Sequence, residues 1–109
     1  MTERLPRSEF SEAEQALIAN LREKGPADPE TRRMLLEWCD EEEAKVAEIN
    51  TSRAGIELDL KKARIYQASG FHEEAWASLE AARTAAHNEN AEDLFNEAEA
   101  LMNEMDQER

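Results

Sequence analysis

The run His72-Glu73-Glu74-Ala75-Trp76 opens as a zinc-hydrolase helix would, with a histidine followed by an acid. That chemistry needs a second histidine one helical turn on, so that two imidazoles converge on one metal while the glutamate works as base. Position 76 holds tryptophan instead. His72, His87 and Cys39 are the only imidazole and thiol groups, and they are spread too widely to suggest a zinc site. Asn88, Asn90, Glu92 and Glu99 fall at the oxygen-ligand positions of a calcium loop, but Asp93 stands where that loop turns on a glycine. No metal and no cofactor is expected.

Asp40-Glu41-Glu42-Glu43 is an acidic run that can attract a basic partner or weakly hold divalent ions, although such a run is usually a solvated helix face. A catalytic acid and base pair requires two carboxyls in contrasting environments, and nothing in the spacing sets one pair apart. Ser69 and Ser78 lack a nucleophile motif. Cys39, beside Trp38, reads as a small buried hydrophobe. Trp38, Tyr66, Phe71, Trp76 and Phe95 read first as core, but an exposed Trp76 would be an anchor for another protein. The candidate partner-binding residues are therefore Trp76, Asp40, Glu41, Glu42 and Glu43, and no catalytic set is found, so an enzyme is not expected.

Composition narrows the partners. With 26 acidic against 13 basic residues the net charge is −13, which repels nucleic acid and anionic membrane surfaces and favours a basic protein as partner, although the same charge reads first as solubility and by itself selects no ligand. One cysteine cannot make an internal disulfide, no apolar run is long enough to span a bilayer, and MTERLPRSEFSE has no apolar signal core. The expectation is a soluble cytoplasmic protein. A 36% charged and 6% aromatic composition suggests elongated helices with wide solvated faces.

These residues must be positioned by helices, because no segment alternates with period two and only three glycines and three prolines punctuate the 109 residues. Ser11 to Glu14 has the form of a capping box, and Ala13, Leu17 and Leu21 then share a face until Lys24-Gly25-Pro26. Asp28-Pro29-Glu30 opens a second helix carrying Leu35, Trp38, Cys39, Val46 and Ile49. At Asn50-Thr51-Ser52 a new cap and a continuous helix through Ile56, Leu60 and Ala63 both fit. Gly70 closes that helix, Phe71 is expected to contact Tyr66, and a fourth helix runs from His72 to about Ala86. Asn88 or Asn90 can cap a fifth helix with the stripe Ala91, Leu94, Phe95, Ala98, Leu101, Met102 and Met105. The ends, residues 1–10 and 106–109, are expected to be disordered or frayed.

Residues 60–87 resemble a tetratricopeptide repeat, a pair of antiparallel helices packed through small residues. Ala63 and Tyr66 match its first helix, Gly70 its turn, and Ala75, Leu79 and Ala82 its second helix, with Glu74 before Ala75 completing the usual pair. Asp59 and Lys62 depart from the aromatic and leucine of the pattern, and His87 from its closing proline. The resemblance implies an all-α right-handed stack of four to five helices in one domain over residues 11–106. The hairpin would lie at about 53–87 and a capping helix at about 91–106. It also implies protein or peptide binding in a groove lined by first helices. The function expected is a protein-interaction module or scaffold, the alternatives being a homo-oligomer joined through the fifth helix or a small acidic chaperone for a basic partner.

Overall fold

Five helices and no strand make up residues 10–108, which are the residues that the computed structural model describes. They are α1 (Glu12–Lys24), α2 (Pro29–Ile49), α3 (Ser52–Ser69), α4 (His72–Asn88) and α5 (Glu92–Glu108). The expectation for residues 1–9 and for Arg109 lies outside the described residues. Phe10 is half-buried against the core, and α5 extends to Glu108.

Each joint follows from local chemistry. Ser11 Oγ accepts from the Glu14 amide at 3.1 Å while the Glu14 carboxylate accepts from the Ser11 amide at 3.0 Å, closing the capping box. Asp28 accepts from the amide and the hydroxyl of Thr31, with Pro29 at the first helical position. The sequence permits either one helix or two across residues 50–52, and α2 and α3 are separate. Asn50 takes left-handed angles (φ 58, ψ 49) that end α2, and Thr51 then caps α3 by accepting from the Ala54 amide. At Gly70 (φ 88) the Phe71 amide donates to the Tyr66 carbonyl and the Gly70 amide to the Gln67 carbonyl, a Schellman closure.

The same closure recurs after α4, where Asn90 (φ 58) sends its amide to the His87 carbonyl and the Ala91 amide reaches the Ala86 carbonyl. Asn88 is inside α4 and Asn90 ends it, so neither asparagine caps α5 as expected. Asparagine is among the few residues that tolerate left-handed angles, and that property is used here in place of its capping side chain.

The helix α3 is the shared element of two apolar clusters. On one side Ile56, Leu60 and Ala63 meet Ala75, Leu79, Ala82 and Ala86 of α4 and Leu94, Ala98, Leu101, Met102 and Met105 of α5. Alanines at the crossings let the three helices approach closely, and Tyr66, Trp76 and Phe95 close the edges of this cluster. On the other side Leu58 and Ile65 meet Leu17 and Leu21 of α1 and Trp38 of α2. Phe71 packs against this second cluster and Tyr66 against the first, and a backbone bond from the Phe71 amide to the Tyr66 carbonyl joins the two residues.

Two sequence expectations need correction. Ala13 is exposed and Glu14, one position on, is buried in its place, because the indole nitrogen of Trp38 donates to Glu14 at 3.0 Å. The molecule is also not elongated: its extents are 38, 34 and 30 Å with a radius of gyration of 14.1 Å. Antiparallel packing about α3 folds the solvated faces outward without lengthening the whole.

Candidate functional site

Within the acidic run, the structure separates residues that the sequence treats alike. Asp40, Glu41 and Glu43 are exposed, whereas Glu42 is turned inward and 7% exposed. Its two oxygens accept from Lys61 of α3 at 2.8 Å and from Lys45 at 3.0 Å. Burial alone would raise the Glu42 carboxyl, but the bonds from Lys61 and Lys45 outweigh it and hold the group below its ordinary value. Lys61 also stands 4.0 Å from Glu14, so α1, α2 and α3 are tied by one cluster of charges. Glu42 is therefore a fastening inside the fold and not a free contact for a partner.

Beside this cluster is a hollow of about 410 Å³ between α2, α3 and α5, with Val46, Ile49, Leu58, Leu60 and Leu94 among its walls. Ile49 is 62% exposed at its mouth. The charges around it satisfy one another: Lys61 and Lys45 hold Glu42, and Arg64 pairs with Glu97 of α5. Arg53 holds Asp93 across the same α3–α5 face and keeps that carboxyl below its ordinary range through their hydrogen bonds. The surface offers a partner little net charge.

The outer flank of α4 and α5 is different. Trp76, Arg83 and His87, spaced by seven and four, share one side of α4. Arg83 Nη1 lies 3.8 Å from Glu99 Oε2, and the His87 and Phe95 ring centroids are 6.2 Å apart, so this side of α4 faces the Phe95 and Glu99 side of α5. A hollow of about 440 Å³ opens at one end of the furrow between them, lined by His72, Glu73, Trp76 and Met105. A second, of about 240 Å³, opens at the other end, lined by Ala86, His87, Asn90, Glu92 and Phe95. Trp76 is half-buried, its ring forming part of a wall that is open to solvent.

Charge is concentrated on the same hairpin. Residues 72–108 carry eleven carboxylates and a single arginine, hence ten of the thirteen net negative charges. The expected acidic run at 40–43 is thus the lesser feature. Summing charge over segments instead of searching for runs would have found the greater one.

The remaining candidates find structural places. Ala63, Ala75, Leu79 and Ala82 are buried in the α3–α4–α5 cluster, with Tyr66 at its edge and Gly70 and Phe71 at the turn. Burial pushes the Cys39 thiol above its ordinary value, which lowers the fraction present as the reactive thiolate, and burial likewise raises Asp59, with Lys62 opposing it. Asn88, Asn90, Glu92 and Glu99 are distributed over α4, its closing turn and α5, and do not form a calcium loop. Among the described residues no group of three or more His, Cys, Asp or Glu side chains converges as a metal would require, and no helix is long and apolar enough to cross a membrane. In the apolar stripe of α5, Leu94, Ala98, Leu101, Met102 and Met105 pack in one cluster with α3 and α4, and Ala91 and Phe95 are partly buried against it. No protein-family model matches the chain, and neither a curated protein nor a solved structure matches it.

Proposed function

We propose that this chain is a small cytoplasmic helical-repeat protein of the tetratricopeptide type, without catalytic activity, that works by holding a partner protein with a basic surface. The observation that carries the reading is the outer flank of α4 and α5, where half-buried Trp76 walls an open hollow on the most acidic part of the chain. An aromatic anchor in a concave, partly desolvated place, with complementary charge around it, is the usual source of affinity and encounter rate at protein interfaces. The repeat-type reading is supported by the α3–α4 hairpin closed at Gly70, and by α5 packing on α4 through small residues. The non-catalytic reading is supported by the buried carboxylates, since Glu14 and Glu42 have their oxygens engaged by donors that join helices.

Capture from source lysate with the native chain and with a Glu73→Lys/Glu80→Lys variant tests the reading. A basic protein retained by the native chain, released by high salt and lost by the variant is the expected result. Identical retention by both, or no salt-sensitive retention at all, would overturn it. The resemblance implies a groove lined by first helices, and exposed Ile49 beside the α2–α3–α5 hollow favours that surface as a second reading. An Ile49→Lys variant in the same capture assigns the partner to one face or the other.

A further inference from the structure

We infer that the occupant of the α4–α5 furrow is a basic amphipathic helix whose two apolar anchors are eleven positions apart, an inference that rests on the binding reading above. The furrow itself sets the spacing. Trp76 and His87, at the two hollows, are eleven residues apart on α4, which is about 16 Å along the axis or three turns. Side chains at i and i+11 of a docked helix return to the same face after those three turns, with an i+7 or i+4 position between them over the Arg83–Glu99 pair.

A helix suits this surface better than an extended segment for a reason of hydrogen bonding. The furrow is bounded by two helices whose backbone groups bond within themselves, so it offers no edge for strand pairing. A strand laid there would bury its own amides and carbonyls without partners, while a helix arrives with them already satisfied. Two packed helices also present a groove into which the ridge of a third fits.

The polar flanks of the occupant are fixed by charge. Glu73 and Glu92 line the two hollows and Glu80 stands one turn after Trp76 on α4; all three are exposed and make no ion pair with any described residue. Lysine or arginine beside each anchor meets them. A second copy docking through this same face is the wrong occupant, because it would bring the same ten negative charges to it.

The test uses three synthetic peptides of about 15 residues, long enough for four turns. The first has leucines eleven positions apart and lysines on its flanks. The second has the same composition with the leucines moved to adjacent-but-one positions, and the third replaces lysine by glutamate. Binding to the full chain is followed by fluorescence anisotropy of the labelled peptide and by amide shifts. The first peptide is expected to bind at least about tenfold more tightly than the second and third, to shift α4 and α5 amides, and to lose about tenfold against Glu80→Lys/Glu92→Lys.

Equal binding of the first and second peptides at this face would overturn the helical occupant while leaving the binding module standing. Binding that ignores the charge variant, or absence of binding by every peptide, would overturn the inference. Self-association of the chain in sedimentation, abolished by Trp76→Lys, would overturn it in favour of a second copy.

Discussion

Lys61 of α3 donates to the Glu42 carboxylate of α2 at 2.8 Å, nineteen residues apart in sequence, and this bond fastens the second helix to the central one, with Glu14 of α1 4.0 Å from the same ammonium. Glu42 is buried and Lys61 about half exposed, so the pair is unlike a surface bridge on one side only. Lys61→Met keeps the apolar stem and removes the charge. It leaves Glu42 with Lys45 alone, and should cost about 1–2 kcal/mol after allowance for solvent screening. Urea unfolding measures it, and an unchanged midpoint would show that the cluster does not hold the helices.

The same carboxylate makes stability depend on acid. Its folded value lies below the ordinary one, so its contribution is complete above about pH 4.3 and is lost as pH falls from there through the folded value. Glu42→Gln should therefore be less stable than the native chain near neutrality, with the gap closing as pH falls below about 4.3. Paired thermal melts across that range would refute this if the gap stayed constant.

What is legible in the sequence and what is hidden there differ by the distance over which the deciding contact acts. The capping box at Ser11, the Asp28-Pro29 start and the Gly70 closure are decided within five residues, and all three are present. Glu42 cannot be told from Asp40, Glu41 and Glu43 along the chain, because its donor Lys61 comes from another helix. Periodicity favours Ala13 over Glu14 for the same reason, the indole donor that buries Glu14 being Trp38, twenty-four residues on. Of the candidate site, Trp76 is readable as an anchor that matters if exposed. The furrow it walls depends on how α4 and α5 face each other, which the stripes of the two helices do not specify.

The two clusters should open at different free energies. In α2 only Thr31, Trp38 and Glu42 are buried, whereas α4 places four residues, Ala75, Leu79, Ala82 and Ala86, at the centre of the larger cluster. Local opening follows the apolar contacts that hold an element. Amide hydrogen exchange should thus be faster in α1 and α2 than in the middle of α3, α4 and α5, and Lys61→Met should widen the difference. Uniform protection over all five helices would contradict this.

Two glycines should respond in opposite directions. Gly70 has φ 88 and open space where a Cβ would project, so a side chain there meets strain and no clash. Gly70→Val should cost at least about 1–2 kcal/mol, and Gly70→Asn distinctly less. Gly55 lies inside α3 with no atom within 4 Å of an added Cβ. Gly55→Ala should stabilise by about 0.5–1 kcal/mol through lost freedom in the unfolded chain. Denaturation midpoints moving in the same direction would contradict the closure described at Gly70.

Ala75 tests whether the small residues set the distance between helices. It is wholly buried near the start of α4, in the cluster that α3 and α5 complete, and Ala77 two positions on is exposed. Interiors are packed as densely as organic crystals, so added methylenes at a crossing have to push helices apart or leave their rotamers. Ala75→Leu should cost about 1–3 kcal/mol, while Ala77→Leu, with the same change in volume and nearly the same helix propensity, should stay within about 0.5 kcal/mol of the native chain. The furrow adds a second readout, since Trp76 sits beside Ala75 and any outward shift of α4 changes the hollow that its ring walls. The emission of Trp76 should therefore move in Ala75→Leu and stay in place in Ala77→Leu. Equal stability of the two variants would mean that α4 does not depend on alanine for its approach to α3 and α5.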